Sequence, residues 1–160
     1  MAHSSITRRF EFDSGHRVPN HKSKCRNLHG HRYRMLVTVA GQLVAERGAS
    51  DQGMVVDFGD LKMLINERLV EPWDHAFLVY REDFAVIDAL SRIIDVEGHH
   101  KTVMVPEIPT VENLVRYAAQ ILNDPIRAWS AGRIYLAKIT LYETPNCSAT
   151  WKYTDPGALK

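Results

Sequence analysis

The sequence predicts an α+β domain: an antiparallel sheet covered on one face by helices. Alternating apolar and polar residues open and close the chain, and apolar residues at helical spacing occupy its middle. Polar turn residues separate these stretches, with no repeat or low-complexity tract between them.

Ile6 to Asp13 alternates, with Ile6, Phe10 and Phe12 on one side and Thr7, Arg9, Glu11 and Asp13 on the other, as in a half-buried strand; His16 falls just beyond its end. Alternation returns from His29 to Ala40, where Tyr33, Met35, Val37 and Val39 share the parity of His29 and His31. These two strands are expected to form a hairpin, joined by the long polar loop Arg17 to Leu28 that carries Cys25. After the turn Ser50-Asp51-Gln52-Gly53, Asp57 is placed to cap a helix with Leu61, Leu64, Ile65 and Leu69 on its apolar stripe, and Pro72 is expected to end it. A second helix over Asp83 to Ile94 and a short strand over Thr102 to Val105 follow. Thr110 then caps a clearer helix, with Leu114, Tyr117, Ala118, Ile121 and Leu122 buried, which Asn123-Asp124-Pro125 is expected to stop. Ile134 to Glu143 and Ser148 to Tyr153 alternate around the turn Thr144-Pro145-Asn146 and read as a closing hairpin. Four strands leave exposed sheet edges, which another subunit could extend, so a homo-oligomer is expected.

Residues 1–160 fit one domain, large enough to bury a core without disulfides. Lys+Arg 20 against Asp+Glu 19 leaves a net charge of +1, which argues against a protein that coats nucleic acid or a membrane surface. Cys25 and Cys147 make neither a disulfide framework nor a C-x-x-C pair, and Met1 to Phe12 lacks a signal-peptide apolar run. A soluble cytoplasmic setting is expected.

The chemistry concentrates in His16 and in Cys25-Arg26-Asn27-Leu28-His29-Gly30-His31. On an extended strand His29 and His31 project to the same face, and His16 at the end of the partner strand completes a three-histidine site with an open fourth position, as in catalytic zinc. Imidazole ligation favours zinc and leaves iron, copper and nickel open. His3, His21, His99 and His100 lack such a setting and are read as solvated, His21 being the first exception to consider. Cys25 has three candidate roles: fourth ligand, packed thiol, or nucleophile or base beside the metal, its thiolate favoured by Lys22, Lys24 and Arg26. In Asp74-His75 a carboxylate can fix the imidazole's tautomer so that His75 passes protons, the bland alternative being a turn cap. Glu143 shares strand parity with Tyr135, Ala137, Ile139 and Leu141, so a carboxylate ends an apolar face, where the amidine-like edge of a guanine or pterin would supply paired donors.

Phe12-Asp13-Ser14-Gly15-His16, Cys25 to His31, Val56-Asp57-Phe58 with Leu61-Lys62, Trp73-Asp74-His75, Pro109-Thr110-Val111-Glu112-Asn113 and Tyr142-Glu143-Thr144-Pro145 lie in the order of one known family. Over nearly its whole length the chain resembles the 6-pyruvoyltetrahydropterin synthase superfamily, and within it the 6-carboxytetrahydropterin synthases of 7-deazaguanine and queuosine biosynthesis. The resemblance implies a tunnelling fold, whose four-stranded antiparallel sheets join between subunits into a barrel (a tetramer or hexamer) with active sites between subunits. It implies that His16, His29 and His31 bind Zn²⁺, that Cys25 accepts a proton, that Asp74 and His75 form its relay, that Glu143 anchors the pterin, and that Thr110 and Glu112 line the pocket. The implied reaction is a carbon-carbon lyase step taking 7,8-dihydroneopterin triphosphate to 6-carboxytetrahydropterin, acetaldehyde and triphosphate. Lys22, Lys24 and Arg26 are the nearest candidates to meet the triphosphate. A pyruvoyl-forming synthase that releases triphosphate only is the nearest alternative, though the three residues between Cys25 and His29 match the carboxy-forming branch. A non-catalytic zinc-stabilised module binding a pterin or purine is the alternative of another class. The stretch from His75 to Pro109, including Glu97-Gly98-His99-His100, is longer than in compact members and is expected at the pocket mouth.

Overall fold

The structure, a computed structural model, describes residues 4–96 and 98–154, so that His3 and Glu97 lie outside the described residues. β1 (Ser4–His16) and β2 (His29–Gly41) form the expected antiparallel hairpin, in register from Ser4 opposite Gly41 to His16 opposite His29. β1 outruns its expected span, and His16 is its last residue rather than a residue beyond its end. The extension follows from a second partner: β3 (Ala76–Tyr80) runs parallel to β1 and pairs Ser14 with Ala76, Gly15 with Phe77 and His16 with Leu78. Gly15 permits this approach, because a Cβ there would lie 2.5 Å from the Phe77 ring.

Among the described residues the sheet has six strands rather than four and is mixed rather than antiparallel. After α3 (Phe84–Ser91) and the small hairpin β4 (Ile94–Asp95) and β5 (Gly98–His99), β6 (Thr102–Val105) pairs parallel with β3. β7 (Ile134–Thr144) and β8 (Cys147–Lys152) close the chain as the expected hairpin, and the order across the sheet is β6-β3-β1-β2-β7-β8. The antiparallel expectation holds for β1, β2, β7 and β8, while β3 and β6 add a parallel edge.

Helices cover one face of the sheet. Asp57 caps α1 (Phe58–Ile65) by accepting from the Gly59 N–H at 2.6 Å. Pro72 does not end the helical run, which continues through a wider π turn (Asn66–Val70) into α2 (Glu71–Trp73). Proline lacks an N–H and its ring crowds the carbonyl four residues earlier; the widened turn relieves that clash. Leu61, Ile65, Leu69 and Trp73 are thereby all buried along one stripe.

Thr110 caps α4 (Val111–Trp129), accepting from the Asn113 N–H at 3.4 Å. Pro125 lies inside α4 and does not stop it. An interior proline costs about 3 kcal/mol. Full burial of Ile126 one residue later contributes an opposing ~1.5–3 kcal/mol, and the Ser130 hydroxyl secures the end by donating to the Ile126 carbonyl at 3.0 Å.

A bulge changes the parity of β7. Thr38 pairs with Lys138 but Val39 pairs with Leu136, so Ala137 is an extra residue. The inward set is therefore Ile134 and Leu136, then Ile139 and Leu141, with Glu143 continuing the second run. Tyr135 and Ala137 therefore do not share the face of Glu143, contrary to the uninterrupted alternation expected from the sequence.

Candidate active site

Alternation along β1 and β2 sends Phe10, Phe12, Tyr33 and Met35 into the core, and the same parity aims His16, His29 and His31 at one point where the strands end. Ring centroids lie 4.5 Å apart for His16 and His29, 5.2 Å for His16 and His31, and 5.0 Å for His29 and His31. One ligand atom from each lies within 4.8 Å of the others. His16 Nδ1 is 2.7 Å from the Pro109 carbonyl and His29 Nδ1 is 2.8 Å from the Asn27 carbonyl. A carbonyl can only accept, so both Nδ1 atoms carry the proton and both Nε2 lone pairs are free.

Burial drives the electrostatics. The His16 side chain is 1% exposed, and desolvation depresses its pKa to about 4, with His29 and His31 adding to the effect and the Pro109 carbonyl opposing it. Desolvation also lowers His31, against the pull of the Glu143 carboxylate. Among the described residues the Nε2 atoms of His16 and His31 are buried without a hydrogen-bond partner, as is the neighbouring Tyr33 hydroxyl. Such atoms are costly unless something completes them. A cation facing the imidazole nitrogens would do so, and the all-imidazole donor set fits a transition metal.

A stability prediction follows for the metal-free protein. Unfolded His16 takes up a proton below its ordinary 6.5, whereas the folded residue resists until about 4, so stability falls as pH drops through that window and rises as pH increases. The gap amounts to about 3 kcal/mol. Chemical denaturation at pH 7 and at pH 4 is expected to show that loss in the parent and a smaller one in His16→Asn; equal losses would contradict it.

Glu143 Oε1 approaches His16 Nε2 at 3.4 Å and His31 Nε2 at 3.9 Å. Its position follows from the end of pairing between β2 and β7, which stops at Arg34 opposite Tyr142. Beyond that point the strands diverge, and a cleft of about 350 Å³ lined by His31, Arg34, Tyr142, Glu143 and Pro145 opens between them. A second cleft, of about 530 Å³, has His31 and His75 in its wall, with Asp13, Phe77 and His100. His31 and Arg32 line both clefts.

Asp74 and His75 form a pair on the far side of β1, with His75 Nδ1 2.9 Å from Asp74 Oδ2. Asp13, whose role the sequence did not reveal, holds the pair: its N–H donates to Asp74 Oδ1 at 2.9 Å and its carbonyl accepts the His75 N–H at 2.6 Å. Partial burial opposes ionisation of Asp74, but the Asp13 N–H, the His75 ring and the Lys101 ammonium outweigh it and lower its pKa.

The remaining residues belong neither to the histidine group nor to the two clefts, although Thr110 follows Pro109, whose carbonyl meets His16. Cys25 is a half-buried free thiol on the turn Lys24–Arg26, and its sulfur is not among the atoms grouped with the three histidines. Thr110 is occupied as a helix cap and Glu112 is exposed in the first turn of α4; neither lines the two clefts beside His31. Lys22, Lys24 and Arg26 do not line them either, whereas Arg32 and Arg34 do. The sequence reading missed these two arginines because their parity assigns them to the sheet's outer face. It missed the Pro109 carbonyl because a backbone acceptor carries no side-chain signal.

An α+β sheet whose strand ends gather three imidazoles beside a carboxylate and an open cleft defines a candidate metalloenzyme. Residues 5–153 match the family described as 6-pyruvoyl tetrahydropterin synthase, and the chain belongs to that family. A protein of Rickettsia bellii named 6-carboxy-5,6,7,8-tetrahydropterin synthase is 34% identical over 142 residues, covering 88% of this chain and 94% of that protein. One of the same name from Haemophilus influenzae is 32% identical over 140 residues, covering 88% and 92%. The fold is shared with the 6-pyruvoyl tetrahydropterin synthase of Caenorhabditis elegans (TM-score 0.63, 24% identity, 96% of this chain and 98% of that one). It is also shared with an uncharacterized Wolinella succinogenes protein (TM-score 0.75, 21% identity, 96% and 100%). No helix among the described residues is long and apolar enough to cross a membrane.

Proposed function

We propose that the chain is a zinc-dependent lyase that converts 7,8-dihydroneopterin triphosphate and water to 6-carboxy-5,6,7,8-tetrahydropterin, acetaldehyde and triphosphate, for 7-deazaguanine biosynthesis. The observation that carries this reading is the buried three-histidine cluster with its unpartnered Nε2 atoms, in a chain whose relatives bear that enzyme's name. His16, His29 and His31 would hold the zinc, which supplies Lewis acidity toward the substrate's side-chain hydroxyls.

The chain's own residues account for the rest. Glu143, in the wall of the smaller cleft, accepts paired N–H bonds from the amidine edge of the pterin and orients the substrate's side chain toward the histidines. Cys25 as thiolate removes a proton from that side chain. Asp74 fixes the His75 tautomer so that His75 carries protons to and from the reacting carbons. Arg32 and Arg34 meet the triphosphate in preference to Lys22, Lys24 and Arg26, because they alone of these five line the clefts. Thr110 and Glu112 serve a pocket completed by a neighbouring subunit, since the exposed edges of β6 and β8 leave the sheet open to extension. A homo-oligomer with sites between subunits is therefore part of the proposal.

Incubating zinc-loaded protein with dihydroneopterin triphosphate and identifying the pterin by mass tests the reading. 6-Carboxytetrahydropterin with one acetaldehyde per turnover is expected, and KM is expected to rise in Arg32→Ala. A pyruvoyl product without acetaldehyde would replace the reaction with the pyruvoyl-forming one, and absence of any turnover would sink the enzyme reading.

A further inference from the structure

We propose that Lys101 is a positioning residue for the Asp74–His75 pair, which gives the long segment between His75 and Pro109 a part in the reaction. The inference rests on the reading of His75 as the proton carrier. The Lys101 ammonium donates to the Glu71 and Asp74 carbonyls, both at 2.6 Å. These carbonyls lie at the end of the helical run, where the last C=O groups have no partner in the helix and a cation is favoured by the helix dipole. The Lys101 carbonyl in turn accepts the Phe77 N–H at 3.0 Å. One residue therefore grips the chain immediately before and two residues after His75.

That grip falls where the backbone needs it. His75 has φ +56°, in the left-handed region that a side-chain-bearing residue adopts only when its surroundings over-determine it. Within the helical run the Asp74 N–H donates to the Val70 carbonyl at 2.7 Å, and further fixings come from β1: Asp13 holds the His75 N–H and the Asp74 carboxylate, and the Ser14 hydroxyl donates to the Trp73 carbonyl at 2.5 Å. The contacts from β1 all act from one side of the turn. Lys101 supplies the opposing side, from a position set by the β4–β5 hairpin through the His100 N–H bond to the Ile93 carbonyl at 3.1 Å and by the pairing of Phe77 with Thr102. Without it, Asp74 and His75 keep their mutual contact but His75 loses its orientation toward the cleft whose wall it shares with His31. Lys101 is itself exposed, so water competes for its bonds and its loss is expected to move the pair more than the stability of the whole.

The test compares Lys101→Met and Lys101→Arg in the zinc-loaded full chain. Lys101→Met is expected to lower kcat about tenfold, a sub-ångström misplacement being enough for that, with KM within about twofold. Zinc content should be unchanged and Tm within about 2 °C, which separates positioning from general destabilisation. The ¹⁵N resonances of the His75 ring should shift in the resting protein, and Lys101→Arg, which keeps charge and donors, should restore most of kcat and the resonances. An unchanged kcat in Lys101→Met overturns the proposal, as does a loss that Lys101→Arg fails to recover or that follows Tm. If the parent fails to turn over the pterin, the functional reading falls by itself; the His75 resonances then decide the clamp, and unshifted signals overturn it.

Discussion

Cys25→Ala is expected to reduce kcat/KM by about a thousandfold or more while zinc stays bound at one ion per chain. The size follows from the proposed role of Cys25 as proton acceptor, a contribution on the order of 10²–10⁴-fold. Retention of the metal follows from the geometry, because the cysteine sulfur is not among the ligand atoms clustered with His16, His29 and His31. The turn that carries Cys25 is held by its backbone, with the Val18 N–H donating to the Cys25 carbonyl at 2.8 Å, so losing the sulfur leaves the turn intact. Metal analysis beside steady-state kinetics makes the distinction. Loss of zinc and unfolding in the variant would instead identify Cys25 as a fourth ligand of a structural site.

His31→Ala should separate two effects of opposite sign. With zinc present, the variant is expected to lose metal affinity by well over a hundredfold, together with activity and the thermal stabilisation that bound metal confers, which is about 2.7 kcal/mol at a hundredfold excess over Kd. Without zinc, the same substitution removes a buried Nε2 that has no hydrogen-bond partner, so the metal-free variant should melt no lower than the metal-free parent. Paired melting curves with and without added zinc read both effects. A metal-free variant markedly less stable than its parent would mean that His31 serves the fold rather than a metal.

Much of the site was legible because it is written in local periodicity. The alternation that buries Tyr33, Met35, Val37 and Val39 also fixes the side of the strand from which His29 and His31 project. Asp57 and Thr110 announced their helices because a cap is a contact between neighbours in the chain. β3 was hidden for the converse reason: Ala-Phe-Leu-Val-Tyr is covered on both faces and shows no alternation, so its period cannot distinguish it from a helix turn. The helix that runs through Pro125 and the bulge at Ala137 were hidden because each depends on packing against distant residues, which outweighs the local rule.

The sequence by itself determined the hairpins at the two ends, the shared face of three histidines and the adjacency of Asp74 to His75, since each arises from chain neighbours or from the two-residue period of a strand. Tertiary structure decided what surrounds them. Parallel pairing of β3 with β1 brought Asp13 against the Asp74–His75 turn, divergence of β7 from β2 set Glu143 beside the imidazoles, and the segment before α4 supplied the Pro109 carbonyl that orients His16. These are contacts and strand registers between residues far apart in the chain, and they are selected by the energy of the assembled core rather than by any local pattern of residues.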